Sequence, residues 1–188
     1  MTRLPRLTRD TLEGEQAALF DRIAGTERPD QRPRLPRVGP DGALEGPFNA
    51  LLRNPGLGTL LQDLGDEVRY RITLTDRCRE IAILTVAAAW HSEYERYAHE
   101  DIARAVGLTD AEVAAVEAGS TEPFTDETEL LIARTARALA RAHDLADDEY
   151  AAAVAGLGER GLFELVTLVG YYSQIALALR VFRVTPPE

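Results

Sequence analysis

Thiol chemistry is almost excluded from this chain. It holds one cysteine, Cys78, so no intrachain disulfide, CxxC redox pair or cysteine-based zinc site can form within it. Positive charge is also scarce: 21 Lys and Arg face 31 Asp and Glu, for a formal net charge of -10. That balance argues against nucleic acid or an anionic membrane as partner, because phosphate contact needs clustered cations. Arg32, Arg34 and Arg37 do gather in one proline-rich segment, where a solvated arm is the expected reading. The first residues, MTRLPRLTRD, have no apolar h-region of the signal-peptide kind. The longest late apolar stretch, Leu162 to Phe182, is interrupted by Glu164, Ser173, Gln174 and Arg180, which fits a buried helix better than a membrane span. The expected location is the cytoplasm.

What is present suits a soluble globular chain. Hydrophobic content of 45% and charged content of 28% are ordinary, and 188 residues suffice for one full-sized core. Thr11 to Ala24 reads as a first amphipathic helix. Residues 26–47 break the pattern. Pro29, Pro33, Pro36, Pro40 and Pro47, with Gly39, Gly42 and Gly46, forbid regular helix. A connection this long is an arm around a neighbouring subunit or a loop that closes a site. We therefore set an N-terminal helix and arm at 1–45 and a helical region at 46–188, within one compact domain.

Helical signals then run almost without a break. Short helices are predicted over Pro47 to Leu52 and Thr109 to Ala118, and longer ones over Pro55 to Arg69, Thr75 to Trp90, Ser92 to Val106 and Thr125 to His143. Asp147 to Leu157 and Gly161 to Phe182 complete the set. Ser92 with Glu95, and Thr109 with Glu112, have capping-box spacing. No alternating strand pattern occurs, so the expected class is all-α, a helical bundle. EIAILTV from Glu80 and ELVTLVG from Glu164 look alike, as two similar helical hairpins would.

The stretch EIAILTVAAAWHSEYERYAH, from Glu80 to His99, carries the chemistry. An apolar run carries Glu80 into low dielectric, where a carboxylate needs a partner or a proton. On the next helix Ser92, Glu95 and His99 lie at i, i+3 and i+7, so Glu95 and His99 can touch. Glu80 and His99 are the expected proton-transfer pair, with Glu95 orienting the imidazole. Trp90, Ser92, Tyr94 and Arg96 are the expected substrate-binding residues, and Tyr97 a further donor. Arg96 and Arg53 are the arginines considered for an anionic ligand. One of Tyr171 and Tyr172 is expected in the core and the other at the site. His91 marks the interhelical break, and His143 suits a helix C-terminus. Each residue also has a structural reading: Ser92 and Glu95 as caps, Glu80 as a buried carboxylate tied to an arginine such as Arg79 of another subunit or Arg104. Glu80, Glu95 and His99 match no standard zinc or di-iron spacing.

The order Glu80, Ser92, Glu95, His99 resembles the carboxymuconolactone decarboxylase family, which includes the alkyl hydroperoxidase D-like proteins. The peroxidase branch carries Glu, eleven residues, Cys, two residues, Cys, three residues, His; Ser92 and Glu95 stand where its cysteines belong. GPFNALLRNP from Gly46, DRCREIAIL from Asp76, SEYERYAHEDIARAVGL from Ser92 and ELVTLVGYYSQIALAL from Glu164 extend the resemblance over residues 46–182. It implies an alkyl hydroperoxidase D-like helical bundle that assembles as trimers or hexamers. It does not carry over the peroxidase cycle, which needs an attacking and a resolving thiol. Cys78 lies about 200° around its helix from Glu80 and should face elsewhere.

Two functions follow. One is a cofactor-free, metal-free acid-base enzyme similar to carboxymuconolactone decarboxylase, acting on a small carboxylate- or carbonyl-bearing compound by decarboxylation or proton transfer. The other is a non-catalytic oligomer that binds a ligand or partner on the same scaffold. Residual redox chemistry through Cys78 is a third.

Overall fold

The computed structural model describes residues 2–25 and 36–187. Pro29, Arg32, Pro33 and Arg34 of the proline-rich segment lie outside the described residues. Among those described the chain is all-α: α1 (Gly14–Ala24), α2 (Phe48–Leu51), α3 (Pro55–Tyr70), α4 (Asp76–Trp90), α5 (Glu93–Ala105), α6 (Asp110–Ala118), α7 (Glu127–Ala142) and α8 (Asp147–Phe182), preceded by a 3-10 turn at Arg9–Thr11. The only bridge pairings among them are isolated, Thr8 with Ala43 and Val38 with Leu44.

The helix starts follow local chemistry. The Asn54 side chain accepts the Leu57 amide ahead of Pro55, Thr75 accepts the Cys78 amide, and Thr109 with Glu112 closes a full capping box. Each satisfies amides that the first turn leaves unpaired, worth ~1 kcal/mol. The start at α7 shifts by one residue, because Asp126 rather than Thr125 is the cap. α8 is two rods in one: Gly158 sits at φ 71°, ψ 165°, a conformation open to glycine and closed to most other residues. The break falls where the sequence separates 147–157 from 161–182. By length and composition α8 could cross a membrane, yet 56% of its most apolar window is buried within the molecule.

α4 is the axle. Every residue from Cys78 to Ala87 is buried, and the helix touches α5, α6, α7 and α8. Burying each Ile, Leu or Val of this run contributes ~1.5–3 kcal/mol, which carries Glu80 into the core with them. A second apolar cluster joins α1 (Leu19, Phe20, Ile23) to Leu44, Leu51 and Leu52. The chain from 36 to 47 belongs to it: the Glu45 amide bonds the Arg37 carbonyl at 2.9 Å and the Gly39 amide bonds the Ala43 carbonyl at 2.9 Å. The reading of Arg37 as part of a solvated arm is thereby corrected, since Arg37 is buried with its guanidinium 4.4 Å above the Phe48 ring.

A carboxylate latch fixes the α3–α4 turn. Glu164 of α8 accepts the Thr73 amide at 2.7 Å and the Thr73 hydroxyl, and pairs with Arg160 at 2.9 Å. Burial alone would raise the Glu164 carboxyl, but these donors outweigh it and hold the group below its ordinary range. Glu80 and Glu164 head similar-looking segments yet take different partners, His99 in one case and Thr73 with Arg160 in the other.

Gly46, at φ 59°, lies directly against the Tyr94 ring of α5, and a methyl there would overlap that ring. Gly46→Ala is expected to lower stability by at least ~2 kcal/mol, through left-handed strain and overpacking together. Urea melts of the two proteins check this.

Candidate active site

α4 and α5 meet at an elbow. His91 ends α4 in the left-handed conformation at φ 51°, and the Ser92 amide returns to the Ala87 carbonyl at 2.9 Å. This turn lays α5 back along α4 and brings His99 onto Glu80. The His99 Nδ1 to Glu80 Oε2 distance is 2.8 Å, and both side chains are buried. On the other side of the ring, Nε2 stands 3.7 Å from Glu95 Oε2. The tie that the sequence assigns to Glu95 is therefore made more closely by Glu80, which grips the imidazole from behind.

Tyr172 of α8 supplies the third wall. Its ring meets His99 edge-on at 5.3 Å and 85°, and Tyr171 meets Tyr172 in the same manner at 5.3 Å and 87°. The Tyr172 hydroxyl accepts Arg69 Nε at 3.0 Å. Burial pushes the Tyr94, Tyr171 and Tyr172 hydroxyls up, so all three remain protonated at neutral pH. Both Tyr171 and Tyr172 are core residues.

A cavity of about 70 Å³ opens beside His99 and Glu95. His99, Glu95, Tyr94, Arg69 and Arg37 give its polar lining, and Pro36, Pro47, Phe48, Ala98 and Ile102 complete it. Glu80 is not among these residues. Burial raises the Glu95 carboxyl, Glu80 adds to the rise, and His99 and Arg69 oppose it.

The expected site residues divide. Glu80, Glu95, His99 and Tyr94 converge. Ser92 and Arg96 do not join them: they line a separate hollow of about 350 Å³ with His91, Glu93, Glu100 and Arg141. The helix explains the split, because about 100° per residue turns 94, 95, 98, 99 and 102 to one face and 92, 93, 96 and 100 to the other. Ser92 makes no side-chain cap bond, so the capping box expected with Glu95 is absent; the Glu95 carboxylate is turned inward to His99. Arg96 is occupied by Glu100 and Glu117. Trp90 lines neither hollow; it packs on the main core with its Nε1 buried and unbonded among the described residues. Tyr97 is exposed, and Arg53 donates to the Pro5 carbonyl. Arg104 pairs with Asp110 at 2.8 Å and does not serve Glu80, while within its own chain Arg79 bonds the Leu74 carbonyl at 2.6 Å.

Arg69 is the position at the site least visible beforehand. No local motif marks it, and it reaches the site only through α3, whereas Tyr172 is one of the two late-helix tyrosines that the sequence offers for it. Cys78 is buried in the core, where burial raises its thiol. No group of three or more His, Cys, Asp and Glu is arranged to hold a metal ion among the described residues.

A carboxyl raised by burial gives up its proton later in the folded than in the unfolded chain. Glu95 therefore weakens the fold as pH rises above the ordinary carboxyl value of 4.5. Glu95→Gln is expected to melt several degrees higher than the parent at pH 8, with the gap closing below 4.5, as thermal scans across pH would show.

No family model matches the sequence, and no curated protein matches it significantly. Solved structures do match in shape. An alkylhydroperoxidase AhpD core, described as an uncharacterized peroxidase-related protein from Ralstonia eutropha JMP134, aligns with a TM-score of 0.75 at 13% identity, covering 100% of this chain and 93% of that one. The debrominase Bmp8, solved as its C82A variant in complex with 2,3,4-tribromopyrrole, aligns at 0.69 and 14% identity, covering 98% and 89%. An uncharacterized peroxidase-related protein from Silicibacter sp. TM1040 aligns at 0.65 and 12% identity, covering 87% and 96%. Identities this low speak to architecture alone, and on that ground the chain has the alkyl hydroperoxidase D-like helical fold.

Proposed function

We propose that this protein is an acid-base enzyme acting on a small carboxylate- or carbonyl-bearing compound, by decarboxylation or by proton transfer within it. One observation carries the reading: the imidazole of His99 is gripped at Nδ1 by a buried carboxylate at 2.8 Å while Nε2 faces a cavity beside Glu95. Glu80 fixes which nitrogen carries the proton and stabilises the imidazolium once it forms. Nε2 then takes a proton from carbon or returns one. In a decarboxylation the carbon–carboxylate bond breaks, CO₂ leaves, and the electron pair stays on the adjacent carbon as an enolate. A proton from His99, or from Glu95 in its protonated form, then quenches that carbon. The walls of Pro47, Phe48, Ala98 and Ile102 keep water from competing for it. This chemistry calls on no metal or organic cofactor. A two-thiol peroxidase cycle is not available to the lone buried Cys78.

The test is exchange and turnover with a panel of β-keto acids and lactones in D₂O, read by NMR. Glu80→Gln keeps an acceptor for Nδ1 but removes the charge, and His99→Ala removes the base. Each is expected to slow reaction by roughly 10²-fold or more with the fold intact by circular dichroism. Parent-like rates in both variants would overturn this pair as the proton-transfer groups, and no turnover by the parent across the panel would leave the non-catalytic scaffold as the better reading.

We also propose that the chain works as a homo-oligomer. Leu57, Leu60 and Leu64 of α3 form an exposed row, and Phe163, Val166, Leu177 and Val181 of α8 form another on a neighbouring helix. Apolar rows of this kind favour a matching surface over water, and a second copy supplies one. Light scattering at micromolar concentration is expected to give a multiple of the chain mass, reduced by Phe163→Glu with Val166→Lys; a monomeric parent protein would refute it.

A further inference from the structure

We propose that Arg69 is the substrate's anion receptor, holding a carboxylate group in the cavity beside Nε2 of His99. The inference rests on the acid-base reading of the same site and names the feature its substrate must carry.

Many arginines among the described residues are paired with carboxylates. Arg77 spans Glu112 and Glu129, Arg104 serves Glu100, Asp101 and Asp110, Arg96 serves Glu100 and Glu117, and Arg6 serves Asp41 and Glu45. Arg69 differs. Its Nε is held by the Tyr172 hydroxyl at 3.0 Å, and its two terminal nitrogens have no hydrogen-bond or ion-pair partner among the described residues. Glu95, which shares the cavity, exerts a charge effect on Arg69's surroundings but makes no ion pair with it. A half-buried guanidinium left without a carboxylate, in a chain with an excess of carboxylates, is a group waiting for an anion.

The geometry suits one class of anion. The planar fork of the guanidinium matches the two oxygens of a carboxylate, and fixing Nε on Tyr172 leaves the terminal pair to make that contact. Tyr172 also packs edge-on against His99, so a single ring sets both the receptor and the imidazole. The volume of about 70 Å³ takes a carboxylate and its adjoining carbon, at ~30 Å³ for each water-sized unit. The remainder of the ligand must then lie toward Phe48, Pro47 and Ile102, which calls for an apolar body. Burial raises the Glu95 carboxyl, which favours its uncharged form and lessens its repulsion of such an anion.

Benzoate and benzamide, alike in shape and different in charge, serve as probes. Calorimetry should show benzoate binding and benzamide binding roughly tenfold or more weaker, and benzoate should shift the His99 ring resonances. Arg69→Met should weaken benzoate by roughly tenfold or more and leave Arg96→Met as the parent-like control. Arg69→Lys, which keeps charge without the fork, should fall between and covers the case in which the Met variant fails to fold. No benzoate binding by the parent protein, equal affinity for benzamide, or unchanged benzoate affinity in the Arg69 variants would overturn the proposal. The exchange assay with His99→Ala separates the two readings: lost benzoate binding with proton transfer intact sinks the receptor alone, and intact binding with no proton transfer in the parent sinks the acid-base reading alone.

Discussion

The buried contact between Glu80 and His99 is the constraint on which the rest depends. It joins the central helix to the one that follows, across an elbow that His91 makes possible by accepting a left-handed backbone. Neither group belongs alone in that interior. A buried carboxylate without a partner costs several kcal/mol, and removing one member of such a pair typically costs ~3–5 kcal/mol. The pair thus does two jobs: it seals α5 against α4, and it turns one imidazole nitrogen toward the cavity. The apolar run that buries Glu80 provides the driving force, and the elbow provides the direction.

Around that contact the structure is arranged by distance in sequence. Glu95 and Tyr94 come from the same helix as His99, while Arg69 comes from α3, Tyr172 from α8, and Pro36, Arg37, Pro47 and Phe48 from the segment that leads into α2. Three separate parts of the chain line one small space, and Tyr172 from a fourth braces Arg69 and His99 behind it. This explains why the latch between Glu164 and Thr73 lies so near it in the chain: Arg69 and Glu80 stand on either side of the turn that the latch holds.

Much of this was legible before the coordinates. Asn54, Thr75 and Thr109 announce their helices because capping is local chemistry. The all-α class follows from periodicity, and the approach of Glu80 to His99 from an apolar run, a break and a helical spacing. The failures are equally physical. Ser92 and Arg96 sit near Glu95 in sequence, but a rotation of about 100° per residue sends them to the other side of α5. Arg69 and Arg37 carry no local signature, since only long-range packing decides that they line a cavity with His99. Arg37 looked like part of a solvated arm because its proline-rich neighbours predict extended chain, and extended chain alone does not say what it lies against.

The Glu164 latch has a consequence for how the molecule would fail. Its grip depends on an ionised carboxylate held below its ordinary value of 4.5, so it weakens only as acidity passes that depressed value. The apolar interior has no such sensitivity. Only acid strong enough to protonate that depressed carboxylate would therefore uncouple the guanidinium on one side of the turn from the carboxylate on the other, so that this turn would loosen ahead of the apolar bundle, from a position outside the cavity.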